Sequence, residues 1–320
     1  MNPNKTGVLL CNIGTPDAPT PHAVRRYLKA FLSDPRVVEI PRLIWWPILH
    51  GIILRTRPKK SAALYQKIWT DQGSPLLCYS RQLAVSLEKK LQIPIALGMH
   101  YGQPSIKQAL EELQTKEVTK IIVFPLYPQY SATTTAATFD MVTEVLKKWR
   151  KIPEIHMLHD YADNPLYINA ITQSIQAERL KQENTSHLLF SFHGIPEYCI
   201  KAGDPYYERC QLTVELVAKK LNLQQKDYSI SFQSRLGRAK WLQPYTDQIL
   251  KNMPKQGITH LQVVAPGFAV DCLETLEEIA IRGKHQFMEN GGKSFRYIPA
   301  LNESTPHLDA LASIISSLKI

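Results

Sequence analysis

The sequence predicts an α/β protein made of two similar halves, each a parallel β-sheet covered by helices on both faces. Three observations carry that expectation: short apolar runs alternate with longer segments of helical period, the rhythm repeats in the second half, and two strand ends echo one another. Strands are expected at 8–13, 93–99, 120–125 and 154–159, then at 187–193, 228–232, 260–266 and 294–298. Helices are expected at 205–221, 244–253, 272–288 and 306–318. The echo sets Leu9-Leu10-Cys11-Asn12-Ile13-Gly14-Thr15-Pro16 beside Leu188-Leu189-Phe190-Ser191-Phe192-His193-Gly194-Ile195-Pro196, each a strand running into a Gly/Pro turn. Duplication of the halves accounts for it, and so does the turn chemistry that closes any βα unit. In related α/β halves, ligands are expected in the crevice outside the carboxyl ends of the strands.

A chain of 320 residues fits two domains of ordinary size, expected here at 1–160 and 161–304, with a terminal helix over 305–320. Hydrophobic residues at 44% and charged residues at 21% give a globular balance with no low-complexity tract, which excludes a disordered chain. Lys and Arg number 38 against 28 Asp and Glu, so the surface attracts anions. Nucleic acid is not the expected partner, because the one dense basic cluster, Arg55, Arg57, Lys59 and Lys60, follows an apolar stretch rather than interleaving with aromatics. Five cysteines without CxxC spacing argue against a disulfide framework or a structural zinc, hence for a reducing compartment. A strand-like run begins at Gly7, leaving no room for the apolar region of a signal peptide, so the expected location is the cytoplasm.

The apolar stretch at 43–54, Leu-Ile-Trp-Trp-Pro-Ile-Leu-His-Gly-Ile-Ile-Leu, falls short of the ~20 residues that span a bilayer. Paired Trp45 and Trp46 with the following cations favour a lip that touches a membrane or covers an apolar ligand; a buried core helix is the competing reading.

Two segments carry chemistry. In Ser191-Phe192-His193-Gly194-Ile195-Pro196 a histidine stands where an apolar strand turns, and neutral imidazole there can ligate a borderline metal or accept a proton near neutral pH. In the run from Val263 to Glu278, a buried strand and a Pro266-Gly267 turn lead into an acidic helix start. Asp271, Glu277 and Glu278 read equally well as compensation of the helix dipole. Glu274 lies between Leu273 and Leu276, and i, i+4 spacing places Glu278 on its face, a carboxylate row able to guide a dication.

On these segments, with Gln233-Ser234-Arg235-Leu236-Gly237, Trp241-Leu242-Gln243-Pro244, Tyr127-Pro128-Gln129-Tyr130-Ser131 and Asn12-Ile13-Gly14-Thr15-Pro16, the chain resembles the ferrochelatases over essentially its whole length. The resemblance implies two Rossmann-like domains of the chelatase fold with the active site in the cleft between them, and a C-terminal helix that returns to the first domain. It implies a lyase of haem biosynthesis that inserts ferrous iron into protoporphyrin IX, with His193 and Glu274 as metal ligand and proton acceptors and Glu278 on the metal path. It implies Tyr127, Trp241 and the lip as walls for the macrocycle, with Arg55, Arg57, Tyr65 and Ser74 receiving its propionates. Association with the inner face of the membrane, and an upstream oxidase of the pathway as a candidate partner, belong to the same expectation.

Departures from the family pattern refine it. Ile13 stands where some relatives carry a metal-ligating tyrosine, so that face of the ring is expected to be apolar. Cys272 replaces a histidine found in many relatives, and Arg282 interrupts the acidic row. Ala132 stands where cluster-bearing relatives have a cysteine, and no cysteine follows Cys272, so no iron–sulfur cofactor is expected. Coproporphyrin III as substrate, and a non-catalytic tetrapyrrole carrier, are the competing readings.

Overall fold

The computed structural model describes residues 5–181, 186–235, 237 and 239–318. Residues 1–4, which precede the first strand, and Leu236 of the Gln-Ser-Arg-Leu-Gly motif lie outside the described residues. The chain divides into two compact units, one comprising 1–127, 131–160 and 311–320, the other 128–130 and 161–310.

In the first unit β1 (Thr6–Gly14), β2 (Ile95–Tyr101), β3 (Lys120–Pro125) and β4 (Glu154–Met157) form a parallel sheet in the order β2-β1-β3-β4. In the second, β5 (His187–His193), β6 (Tyr228–Gln233), β7 (His260–Val264) and β8 (Ser294–Ile298) form a parallel sheet in the order β6-β5-β7-β8. The two orders are the same permutation, first strand inside and second at the edge, which is the topology an internal repeat produces.

Each sheet is apolar because helices cover it. Leu9, Cys11, Ile121 and Val123 pack with Ile106, Leu110 and Leu113 of the helix Ile106–Thr115, whose first turn is closed by a Ser105/Gln108 capping box. Leu189, Leu261 and Val263 form the second core with Leu250, Ile279, Phe287 and Phe295. β1 ends at Gly14 for a steric reason: its φ is +99°, and a Cβ there would lie 1.8 Å from the Tyr101 carbonyl oxygen.

Several expected boundaries move. β2 starts at Ile95 rather than 93 because Pro94 has no N–H, and it runs on through His100 and Tyr101, whose polar side chains break the apolar run without breaking the ladder. β7 stops at Val264, short of Pro266. The expected helix over 272–288 is a π-helix at Glu274–Gly283 continued by an α-helix at Lys284–Glu289. Its wider turn makes residues five apart neighbours, as Arg282 and Glu277 are, so the i, i+4 rule used for Glu274 and Glu278 does not describe this segment.

The 43–54 stretch is helical, with Arg42–Ile48 followed by a π-turn at Leu49–Ile53. It is neither a core helix nor fully exposed: Trp45, Leu49 and Leu54 are buried, while Leu43 is 93%, Ile52 60%, Ile44 59% and Trp46 49% exposed. The Trp45 indole N–H donates to the Leu32 carbonyl at 2.7 Å, which fixes the face turned inward. Among the described residues no helix is long and apolar enough to cross a membrane.

Candidate active site

The carboxyl end of β5 and β6 in the second unit gathers the chemical groups. His193 is the last residue of β5, and its Nδ1 lies 2.6 Å from the Gly194 carbonyl oxygen. A carbonyl only accepts, so in the neutral ring Nδ1 carries the proton and Nε2 is the nitrogen with the lone pair. The Tyr206 hydroxyl donates to the His193 carbonyl at 2.9 Å, and the Phe268 ring stands 6.5 Å from the imidazole. Gly194 follows because the backbone is crowded: its N–H donates to the Gln233 carbonyl at 2.7 Å, and a Cβ would lie 3.0 Å from that oxygen and 3.3 Å from the Trp241 ring. Trp241 is buried against this turn, held by a bridge to Pro196 and by the Leu242 N–H on the Ile195 carbonyl.

Gln233, the register partner of His193, ties the histidine strand to the π-helix. Its amide donates to the Glu274 carbonyl at 2.8 Å and accepts from the Ser191 hydroxyl at 2.6 Å, and Ser191 is linked through Thr246 to Ser231. The next residue, Ser234, donates its N–H at 3.0 Å and its hydroxyl to the Glu278 carboxylate. Burial pushes the Glu278 carboxyl above its ordinary range, opposed by the Ser234 hydroxyl and the Arg282 charge, reinforced by Glu274, and opposed again by His193.

Glu277, fully buried, is paired with Arg282 at 3.0 Å. Cys272 is buried, and burial together with the neighbouring Glu274 carboxylate pushes its thiol well up, so it stays protonated beside Glu274. Among the described residues no three His, Cys, Asp or Glu side chains close into a metal cage.

In the first unit, Ile13 and Tyr127 are half-buried at the carboxyl ends of β1 and β3. The Tyr127 ring stands 5.8 Å from the His100 ring at 70°, and its buried hydroxyl has no partner among the described residues. Arg55 and Arg57 lie exposed on the helix Leu54–Gln66. Tyr65 and Ser74 are buried: Tyr65 packs edge-on to Trp69 at 6.0 Å, and the Ser74 hydroxyl accepts from Thr15 at 2.8 Å.

Sequence reasoning missed Gln233, Tyr206 and His100. Gln233 sits inside a motif that had been singled out, whereas Tyr206 and His100 carry no local signal. His100 is buried, and burial depresses its imidazole to about 3. Its Nε2 lies 2.6 Å from the Thr138 hydroxyl, whose own proton goes to the Thr134 carbonyl, so Nε2 is the protonated nitrogen.

A pair of four-stranded parallel sheets of one topology, with an imidazole and carboxylates at the strand ends of one unit, defines an α/β protein of the chelatase architecture. Solved structures of that fold include SirB from Bacillus subtilis with Fe3+, with a TM-score of 0.60 at 12% identity covering 98% of this chain and 95% of that one. CbiX, the terminal enzyme of siroheme biosynthesis in denitrifying bacteria, matches with a TM-score of 0.54 at 11% identity over 98% of both chains. The ferrochelatase family model matches residues 5–318. The ferrochelatase of Methylococcus capsulatus (Bath) is 52% identical over 312 residues, covering 97% of this chain and 96% of the relative. That of Escherichia coli O127:H6 is 48% identical over 320 residues and the full length of both. The chain belongs to the ferrochelatase family.

Proposed function

We propose that this chain inserts ferrous iron into protoporphyrin IX to form haem, with His193 and Glu274 acting on the ring nitrogens. The observation that supports the roles is the fixed tautomer of His193: with Nδ1–H held by Gly194, Nε2 is free to meet a metal or take a proton. Metallation replaces two pyrrolic protons by one dication, so the reaction needs acceptors for both protons. The His193 lone pair and the Glu274 carboxylate supply them, and such positioned bases typically contribute about 10²–10⁴-fold. Glu278 is proposed to meet the incoming iron, releasing Ser234 as it does so. Iron is substrate, and no resident cluster or cofactor is proposed.

Ring contacts are proposed for each unit separately. In the second unit Trp241 backs the His193 turn. In the first, Ile13 and Tyr127 form apolar wall, and Arg55 and Arg57 are better placed than the buried Tyr65 and Ser74 to receive propionates. The exposed face of the 43–54 lip, with Leu43, Ile44, Trp46 and Ile52 followed by four cations, fits a peripheral contact with an anionic membrane from the cytoplasmic side. An upstream oxidase that makes protoporphyrin would then deliver its product at the same surface.

Anaerobic mixing of the protein with Fe²⁺ and either protoporphyrin IX or coproporphyrin III tests the substrate, with the haem spectrum as readout. Faster turnover of protoporphyrin is expected; faster metallation of coproporphyrin III would reverse the choice, and no metallation of either would favour a carrier. Vesicle co-sedimentation tests the lip: Trp46→Ser with Leu43→Ser should abolish binding to anionic vesicles, and equal binding by the variant would remove the lip from the account.

A further inference from the structure

We propose that Asn302 is a positioning residue for Glu274, acting through the Asp271 carboxylate that fixes the turn from which Glu274 projects. This rests on the reading of Glu274 as a proton acceptor.

Asp271 is buried and begins the segment that becomes the π-helix one turn before Glu274. The dipole of that helix would be served by an exposed acid, but Asp271 is enclosed by donors. Its Oδ1 accepts from the Tyr297 hydroxyl at 2.6 Å, the Thr275 hydroxyl at 2.8 Å and the Ala300 N–H at 3.4 Å, and its Oδ2 accepts from the Asn302 amide at 2.8 Å. Thr275 in turn accepts the Cys272 N–H at 2.9 Å, so hydrogen bonds among Asp271, Cys272 and Thr275 tie down the segment that carries Glu274.

Asn302 grips Asp271 at two points. Its side-chain carbonyl accepts the Asp271 N–H at 2.8 Å while its amide donates to the Asp271 carboxylate, a two-point clasp that sets position and orientation together. Its backbone is fixed as well. The N–H donates to the Ala269 carbonyl at 3.1 Å, and the carbonyl accepts from His307 Nδ1 at 2.6 Å, with His307 at the start of the helix Thr305–Ser317. Asn302 adopts φ +47°, a left-handed conformation that asparagine tolerates better than most residues. With Gln233 gripping the Glu274 carbonyl, the acid's backbone is held on both sides.

A catalytic carboxylate must be held to within about 0.5 Å, and misplacement by about 1 Å costs about 10²-fold. Asn302→Gly keeps the left-handed backbone and removes both side-chain bonds. Asn302→Asp keeps the shape but sets a carboxylate where Asp271 needs a donor. Both are assayed in the full chain beside Glu274→Gln, with kcat expressed per porphyrin-binding site and with KM for protoporphyrin. The proposal expects both Asn302 variants to lose about 10–100-fold in kcat with KM within about twofold, because the ring still binds but its proton acceptor is displaced. A purely structural role would lower the melting temperature and the number of binding sites while leaving kcat per site intact. Should an Asn302 variant not fold, Tyr297→Phe removes another donor to the same carboxylate and should show the same split. The proposal fails when kcat per site is unchanged in these variants while Glu274→Gln is inactive. Full activity of Glu274→Gln would instead overturn the base assignment, and the proposal with it.

Discussion

Replacing Gln233 by leucine isolates the link between the histidine strand and the acidic helix, because leucine fills similar volume and offers no hydrogen bond. Two bonds disappear: the amide donor to the Glu274 carbonyl at 2.8 Å and the acceptor of the Ser191 hydroxyl at 2.6 Å. Ser191 keeps Thr246 at 3.0 Å, so the larger loss falls on the Glu274 backbone. Each buried bond is worth about 1 kcal/mol net, so the variant should lose about 2 kcal/mol of stability. Release of the first turn of the π-helix should lower kcat about 10–100-fold, equivalent to about 1.4–2.7 kcal/mol in the barrier. Urea unfolding measures the first effect, and anaerobic iron insertion at saturating porphyrin measures the second. A variant that is destabilised by this amount yet keeps its kcat would refute the argument that Gln233 holds Glu274 in place.

Acidification provides another test, since burial depresses the imidazoles of His100 and His307 to about 3 and about 4. In the unfolded chain they titrate near 6.5, so between these values the unfolded state binds more protons and stability falls as pH falls from about 6.5 toward 4, by up to about 1.4 kcal/mol per pH unit per histidine. His307→Gln should flatten that slope, and an unchanged slope in the variant would contradict the assignment. Gly14→Ala forces a Cβ to 1.8 Å from the Tyr101 carbonyl oxygen at φ +99°, and should cost about 3 kcal/mol or more by urea unfolding; wild-type stability would show that the end of β1 is not so constrained.

The alternation of apolar runs with helical segments was enough to place all eight strands, since parallel strands buried on both faces read as continuous Val, Ile and Leu. What it could not show is where polar residues continue a ladder, as His100 and Tyr101 do in β2, or where proline ends one, as at Pro266. The π-helix was also hidden. Its hydrogen bonds run one residue further than those of an α-helix, and the apolar spacing of Leu273, Leu276 and Ile279 is compatible with either.

Of the candidate site, the strand-end turn at His193 and the helix start at Glu274 were legible because strand-end turns and an acidic run beside apolar residues are local patterns. The tautomer of His193 was not, because it depends on one backbone carbonyl, and the roles of Gln233, Tyr206 and Asn302 depend on partners 41, 13 and 31 residues distant. The burial of Tyr65 and Ser74 was not legible either, because residue type alone suits a hydroxyl to a carboxylate whether or not it lies at the surface.

The most direct test loads the protein with protoporphyrin IX without oxygen, adds Fe²⁺, and follows the absorption spectrum for wild type and Glu274→Gln. The account predicts conversion to haem in the wild type, while the variant keeps the porphyrin bound and free of metal. Haem formation by the variant at the wild-type rate would contradict it.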